Sequence, residues 1–200
     1  MNSSFKVLSL FLSLLFAVGM TSCKQDPIEP EEEPEETPMD FADITQIPTL
    51  TPNSPETVSG NIEGGEVMDD LSWAALSNVA CFPGTRAIEF MGSQVYYQVE
   101  VPQGHEMFIT VTPTGDRNRI NLYGYLNFDG SNVPPLQSIT TCEAGYELYV
   151  GNPDLTKPGE AQSISFAQAV NRDFTIFVAV SGAQDVLSGT FDLTFEIKPM

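Results

Sequence analysis

The sequence predicts an all-β protein, an antiparallel β-sandwich or jelly roll set behind a disordered, acidic, Pro-rich tether. Three observations predict it. Apolar and polar residues alternate with period two in one run after another of residues 58–200, the pattern of half-buried strands. Turn residues separate these runs by connections of about 4–12 residues, as in sandwiches and jelly rolls. Ahead of residue 58, acids and prolines crowd together with little apolar surface to bury, which leaves a chain extended.

The elements follow in order. Lys6 precedes the apolar run 7–20, too short for a bilayer span of about 20 residues but suited to a signal-peptide core. The run ends in Met20-Thr21-Ser22-Cys23 and resembles a bacterial lipoprotein signal, with Met20 where the usual pattern has Leu. The resemblance implies that residues 1–22 are removed, that Cys23 carries the lipid, and that the membrane is a partner through this anchor. Plain secretion is the alternative. Residues 24–57 hold seven of the fifteen prolines and ten acids against the single Lys24, so 23–57 reads as the lipidated Cys and its tether. The start Lys24-Gln25-Asp26 before an acidic run also resembles the surface-export signal of Bacteroidetes lipoproteins. It implies an outer-membrane lipoprotein exposed at the cell surface, with the periplasmic face as the alternative.

The charge balance excludes one class of partner. Eight Lys+Arg against 27 Asp+Glu give a net charge of −19, and a chain this acidic repels phosphate backbones, so no nucleic acid is bound.

In the folded part, 69–79 reads as one short helix or a strand with loops, and 86–91 as a short strand. Val95, Tyr97, Val99 and Val101 run into Pro102-Gln103-Gly104, and Met107, Ile109 and Val111 return, which predicts a hairpin. Ile120, Leu122, Leu126 and Phe128 share a face that Gly124 interrupts, the mark of a bulge or a close approach. Short strands are also expected at 146–150 and 162–168. Phe174, Ile176, Val178 and Val180 form one face, with Phe177 and Ala179 opposite, so this strand is central and covered on both sides. Phe191, Leu193, Phe195 and Ile197 alternate with Asp192, Thr194 and Glu196, a strand with one wet face.

Residues 95–104, Gly115-Asp116 with Ile120-Asn121-Leu122-Tyr123, then 174–180 and 188–195 occur in an order that resembles a bacterial pre-peptidase C-terminal domain. The similarity covers roughly 90–198 and departs at Arg117-Asn118-Arg119 and in the 129–170 insertion. It implies a jelly-roll-like sandwich used for binding, with no catalysis.

The chemistry-bearing residues are few. Cys81 and Cys142 remain once Cys23 is lipidated, and outside the cytoplasm two leftover thiols pair, or else stay as separate buried groups. His105 is the single histidine and sits at a turn. No Gly-x-Ser-x-Gly elbow accompanies it, so no catalytic residue is assigned. Glu63, Glu66, Asp69 and Asp70 form one oxygen-rich cluster and Asp116, Asn118 and Asn121 another. Such loops suit calcium, the one ion the sequence suggests, or are simply solvated; no other cofactor is implied. Tyr123 and Tyr125 project opposite Ile120 and Leu122, and Tyr96 opposite Tyr97. With Trp73, and with Tyr146 and Tyr149 alongside, they make a candidate aromatic platform for a ligand, or a buried layer.

These residues together point to a non-catalytic binding domain whose ligand is a glycan or an extracellular protein. A structural or adhesive subunit of an envelope assembly is the alternative. A small hydrolase is the third reading, because paired carboxylates are placed by three-dimensional structure rather than by spacing.

Overall fold

The structure, a computed structural model, describes residues 44–75, 80–115, 119–127, 134–135, 141–147, 159–168 and 171–200. Cys23, Asp116, Asn118 and Tyr149 lie outside the described residues, as do residues 148–150 of the strand expected at 146–150.

Ten strands are described: β1 (Ile44–Gln46), β2 (Glu56–Asn61), β3 (Glu66–Val67), β4 (Ser93–Val101), β5 (His105–Pro113), β6 (Ile120–Leu126), β7 (Cys142–Gly145), β8 (Gln162–Ala167), β9 (Phe174–Gly182) and β10 (Thr190–Pro199). They form two sheets, ordered β1-β4-β9-β6-β7, with β3 also on β4, and β2-β10-β5-β8. The pairs are antiparallel except β1 with β4, which runs parallel from Ile44 opposite Tyr96. The fold is an all-β sandwich, as the alternation predicts.

The two inner faces make one core. Tyr97, Val99 and Val101 of β4, Ile120, Leu122 and Leu126 of β6, and Phe174, Ile176, Val178 and Val180 of β9 face Met107, Ile109 and Val111 of β5, with Ile164 and Phe166 of β8 and the apolar set of β10. Each set is the every-second-residue series of its strand, because side chains alternate across a pleated backbone. β9 is covered on both sides: Phe177 and Ala179 are buried in a second cluster on the outer face of the first sheet. Gly124 is a close approach. A Cβ there would meet the Phe177 carbonyl oxygen at 3.0 Å and Ile164 Cδ1 at 3.2 Å, so a larger residue at this position would push β8 away from β6.

Three expectations need correction. β4 and β5 are not a hairpin, since β4 lies in the first sheet and β5 in the second. The turn is real, with Gly104 at φ 74 and the His105 N–H donating to the Pro102 carbonyl, but it carries the chain across the edge of the core. Alternation identifies the inward residues of both strands and says nothing about which sheet each joins. Residues 86–91 are no strand either: Gly84–Glu89 is a 3-10 helix entered from Pro83, whose φ of −60 suits a helix start. Ile88 is 47% exposed there and Glu89 buried, the reverse of what hydropathy suggests. Finally, the boundary expected at 57/58 falls inside β2. Ile44, Ile47 and Leu50 are buried, and strand pairing begins at Ile44. Sparse apolar residues three apart are lost in a Pro- and acid-rich composition, and proline is tolerated where a strand lies at an edge.

Candidate functional site

The outer faces of the two sheets differ completely. On the first sheet, Tyr96, Tyr123 and Tyr125 project outward together, as their positions on β4 and β6 require. They are not a surface: their exposures are 4%, 0% and 0%. A strap of chain, Met68–Ala75 and 80–91 among the described residues, covers them. Leu71, Ala74, Phe82 and Phe90 are its buried anchors, and one helical turn, α1 (Ser72–Ala75), lies within it. This turn is all that is described of the helix or strand expected at 69–79.

The rings interlock edge to face. Trp73 lies 6.1 Å from Tyr123 and 6.0 Å from Tyr125, centroid to centroid, while Tyr125 stacks on Phe177 at 4.8 Å. Tyr146 is half-buried against Phe90 at 5.6 Å. Trp73 keeps partial exposure, but of the two readings, ligand platform or buried layer, Tyr96, Tyr123 and Tyr125 form the buried layer. The sequence signal is local: a face of three tyrosines reads the same whether or not a distant aperiodic segment lies on it.

Under the strap runs a polar network. The Tyr123 hydroxyl donates to Gln94 Oε1 at 2.8 Å, and Gln94 Nε2 donates to the Phe90 carbonyl at 2.7 Å. Ser181 Oγ donates to the same carbonyl at 2.8 Å. The Tyr125 hydroxyl, by contrast, is buried without a partner among the described residues. Burial pushes the phenols of Tyr96, Tyr123 and Tyr125 well above the ordinary tyrosine range, because the anionic form would lose its hydration.

Sequence reasoning misses the buried carboxylate of Glu89, which pairs with Arg119 across 30 residues and has Arg86 at 3.8 Å. A pair that far apart leaves no spacing signal. Asn121, expected among metal ligands, is buried instead. Its Nδ2 donates to the Glu89 carbonyl at 2.7 Å and its Oδ1 accepts the Glu147 N–H at 3.0 Å. An amide committed at both ends inside the protein is not a loop ligand for calcium. Asp70 accepts the Ser72 N–H at 2.7 Å, and that bond holds its carboxyl below the usual range. Glu63 is tied to Asn61 through its own N–H, and Glu66 lies on β3. Among the described residues no three His, Cys, Asp or Glu side chains gather as a metal site. His105 Nδ1 lies 3.0 Å from the Gln103 carbonyl, a local turn contact. Cys81 of the strap and Cys142 of β7 are joined by a disulfide, with Cα atoms 4.8 Å apart.

The outer face of the second sheet has a different chemistry. Thr57, Thr194, Thr110 and Ser163 stand opposite one another across all four strands, with Ser59, Asp192 and Thr112 forming the next row. The hydroxyls hold one another: Thr57 to Thr194 at 2.9 Å, Thr110 to Ser163 at 2.8 Å, and Ser59 donating to Asp192 at 2.7 Å. Phe108 is the one aromatic ring on this face among the described residues, and Lys198 Nζ lies 4.6 Å from its centroid. The hydroxyl rows were legible in the sequence, since Thr110-x-Thr112 and Ser163-x-Ser165 repeat with period two. A search for aromatic rings passes over them.

No family model matches the chain, and no curated protein does. Among solved structures it is similar to the pre-peptidase C-terminal domain of a collagenase from Bacillus anthracis, at 13% identity over 78% of this chain and 94% of that one, with a TM-score of 0.39. It is similar also to PliG of Aeromonas hydrophila, a periplasmic lysozyme inhibitor of g-type lysozyme, at 10% identity over 78% and 98% of the two chains, with a TM-score of 0.37. A third is CorA, a surface-associated copper-binding protein important in Methylomicrobium album BG8 copper acquisition, at 12% identity over 79% and 99%, with a TM-score of 0.41.

Proposed function

We propose that this chain is a non-catalytic binding domain, held at a membrane through lipidated Cys23, that takes glycan chains on the outer face of its second sheet. One observation carries the reading. The outer face of the first sheet is occupied by the chain's own strap, whereas the outer face of the second leaves Thr57, Ser59, Thr112, Ser163 and Ser165 exposed.

Hydroxyls locked by cross-strand bonds offer donors and acceptors at fixed positions, so a sugar hydroxyl meets a partner that loses little freedom on binding. Threonine methyls between them suit the C–H faces of a sugar ring. Asp192 adds a charged acceptor, and hydrogen bonds to charged groups are the stronger kind. A protein partner is less well served, because interface hot spots are enriched in Trp, Tyr and Arg, and among the described residues this face presents none. The observation that favours the assembly reading is β8, the outer strand of its sheet among the described residues, whose sequence Gln162–Ala167 carries neither charge nor proline to discourage edge pairing.

The test is an array of glycans and mucin-type glycoproteins probed with the full chain, with and without calcium, beside Thr110→Lys/Thr194→Lys. Saturable binding that drops at least tenfold in the double variant is the expected result. Binding indifferent to both substitutions, or silence across the array, overturns the glycan reading. Loss on chelation would bring calcium back through residues other than Asn121.

A further inference from the structure

We propose that the Cys81–Cys142 disulfide is a redox latch on the strap, and that reducing it lifts the strap from the tyrosine face while the two-sheet core stays folded. The argument rests on how the strap is held. Its first end continues from β3, which is paired to β4 at Gln94 and Ser93. Its last end is pinned by polar contacts to three strands: Gln94 and Ser181 on the Phe90 carbonyl, Asn121 on the Glu89 carbonyl, and Arg119 on the Glu89 carboxylate. Between these ends, the hydrogen bonds described for residues 68–75 and 80–83 stay local, with the Ser72 N–H to Asp70 Oδ1, the Trp73 Nε1–H to Met68 Sδ, and the Cys81 N–H to the Ala74 carbonyl.

Among the described residues, the middle of the strap is therefore tied to the sheet by apolar contact and by one covalent bond, that of Cys81 to Cys142 on β7. A segment with one helical turn spends much conformational freedom in lying flat, and a few apolar anchors recover only part of it. The bond supplies the rest. The strap residues pack on the outer face of the first sheet and not into the core between the sheets, the arrangement of a segment that can open while the core stays closed.

The chemistry requires a dithiol reductant. One of its thiolates attacks a sulfur of the disulfide, and Cys81, which keeps partial exposure where Cys142 is buried, is the accessible one. A mixed disulfide forms at Cys81 and Cys142 leaves as a thiolate. The second thiol of the reductant then displaces Cys81. Two electrons and two protons pass to the cysteines, and the reductant departs as a disulfide. The freed strap exposes Tyr96, Tyr123, Tyr125 and Phe177, and the orphan Tyr125 hydroxyl gains water. This latch does not depend on the glycan reading, which concerns the opposite sheet.

Trp73 is the single tryptophan of the chain and touches Tyr123 and Tyr125, so its emission reports the strap directly. The experiment compares the oxidised full chain, the chain treated with dithiothreitol, and Cys81→Ser/Cys142→Ser. Readouts are Trp73 emission, limited proteolysis by trypsin at Arg86 and by chymotrypsin at Trp73, and far-ultraviolet circular dichroism. The expected result for both reduced chain and double variant is red-shifted emission and at least tenfold faster cleavage at Trp73 and Arg86, with the β spectrum retained. Reoxidation restores the dithiothreitol-treated chain alone. Unchanged emission and cleavage would overturn the latch, since the strap would then hold by contact alone. Loss of the β spectrum together with the emission change would overturn it too, making the disulfide a staple of the whole domain.

Discussion

Between the sheets, Phe191, Leu193, Phe195 and Ile197 meet Met107, Ile109, Val111 and the inner residues of β4, β6 and β9. Under the strap, Tyr123, Tyr125 and Phe177 meet Phe82, Phe90 and Trp73. The first region is assembled from regular strands whose backbones bond to each other, and its side chains are almost wholly apolar. The second sets a regular sheet face against an irregular segment, joined to it by a disulfide, a buried ion pair and bonds to carbonyls. The contrast shows that one sheet can have a self-sufficient face and a conditional one. β9 serves both: its even-numbered residues from Phe174 to Val180 belong to the core, while Phe177 and Ala179 belong to the strap cluster.

The largest effect that sharpens this contrast is a cavity in each region. Phe195→Ala is expected to cost about 3–5 kcal/mol, the usual range for emptying a rigid aromatic site. Phe82→Ala removes the same ring from a segment that can settle inward, and is expected to cost about half as much. Urea titrations followed by circular dichroism and by Trp73 emission check both values. The two probes should coincide for Phe195→Ala and separate for Phe82→Ala, since non-coincidence marks a unit that opens alone. Equal losses with coincident curves would mean one cooperative body and erase the distinction.

Alkali tests the same contrast from the polar side. Tyr96, Tyr123 and Tyr125 have native phenols raised by burial, while unfolded tyrosine ionises near pH 10. A native value above the unfolded one means the stabilisation is complete below pH 10 and is lost as pH rises past it, because only the unfolded chain releases the proton. Each such tyrosine contributes a slope of about 1.4 kcal/mol per pH unit. Three together amount to about 4 kcal/mol at pH 11. Tyr97, on the core side, is raised as well. Three of the four lie under the strap, so Trp73 emission should change at lower pH than circular dichroism does. Simultaneous loss of both signals would break the comparison.

How much of this was legible in the sequence follows the same division. The inner faces of β4, β5, β6, β9 and β10 can be read from alternation, because burial on one side of a pleat writes period two into the chain. The two-sided cover of β9 and the close packing at Gly124 are equally visible, since a double apolar face and an isolated glycine have few other causes. Sheet membership is not visible: Val101 and Met107 point inward whether their strands pair or face each other across the core. The strap is invisible for a related reason. Leu71, Phe82 and Phe90 follow no period, and their partners on β4, β6 and β9 are distant in the chain. Alternation puts the tyrosines on the correct face and leaves platform or buried layer open, because the strap that decides between them follows no period.

The smallest expected effect separates two tyrosines that alternate on one strand. Tyr123 donates to Gln94, and Tyr123→Phe leaves the Gln94 oxygen, among the described residues, with the longer 3.5 Å contact from Tyr96. Losing one partner of a buried bond costs about 1 kcal/mol. Tyr125 stands in the same layer with an equally buried hydroxyl and no partner among the described residues. Its replacement by Phe removes a desolvated polar atom and opens no cavity, so Tyr125→Phe is expected to stabilise the protein by about 1 kcal/mol. The sign reverses between chemically identical substitutions because the neighbour of each hydroxyl differs, not its depth. Thermal melts of the two oxidised variants decide the point, and repeating them on reduced chains extends it. With the strap released, both hydroxyls reach water, so the two melting temperatures should converge on that of the reduced parent. If Tyr125→Phe destabilises the oxidised protein, its hydroxyl has a partner, and the strap cluster is as fully satisfied as the core between the sheets.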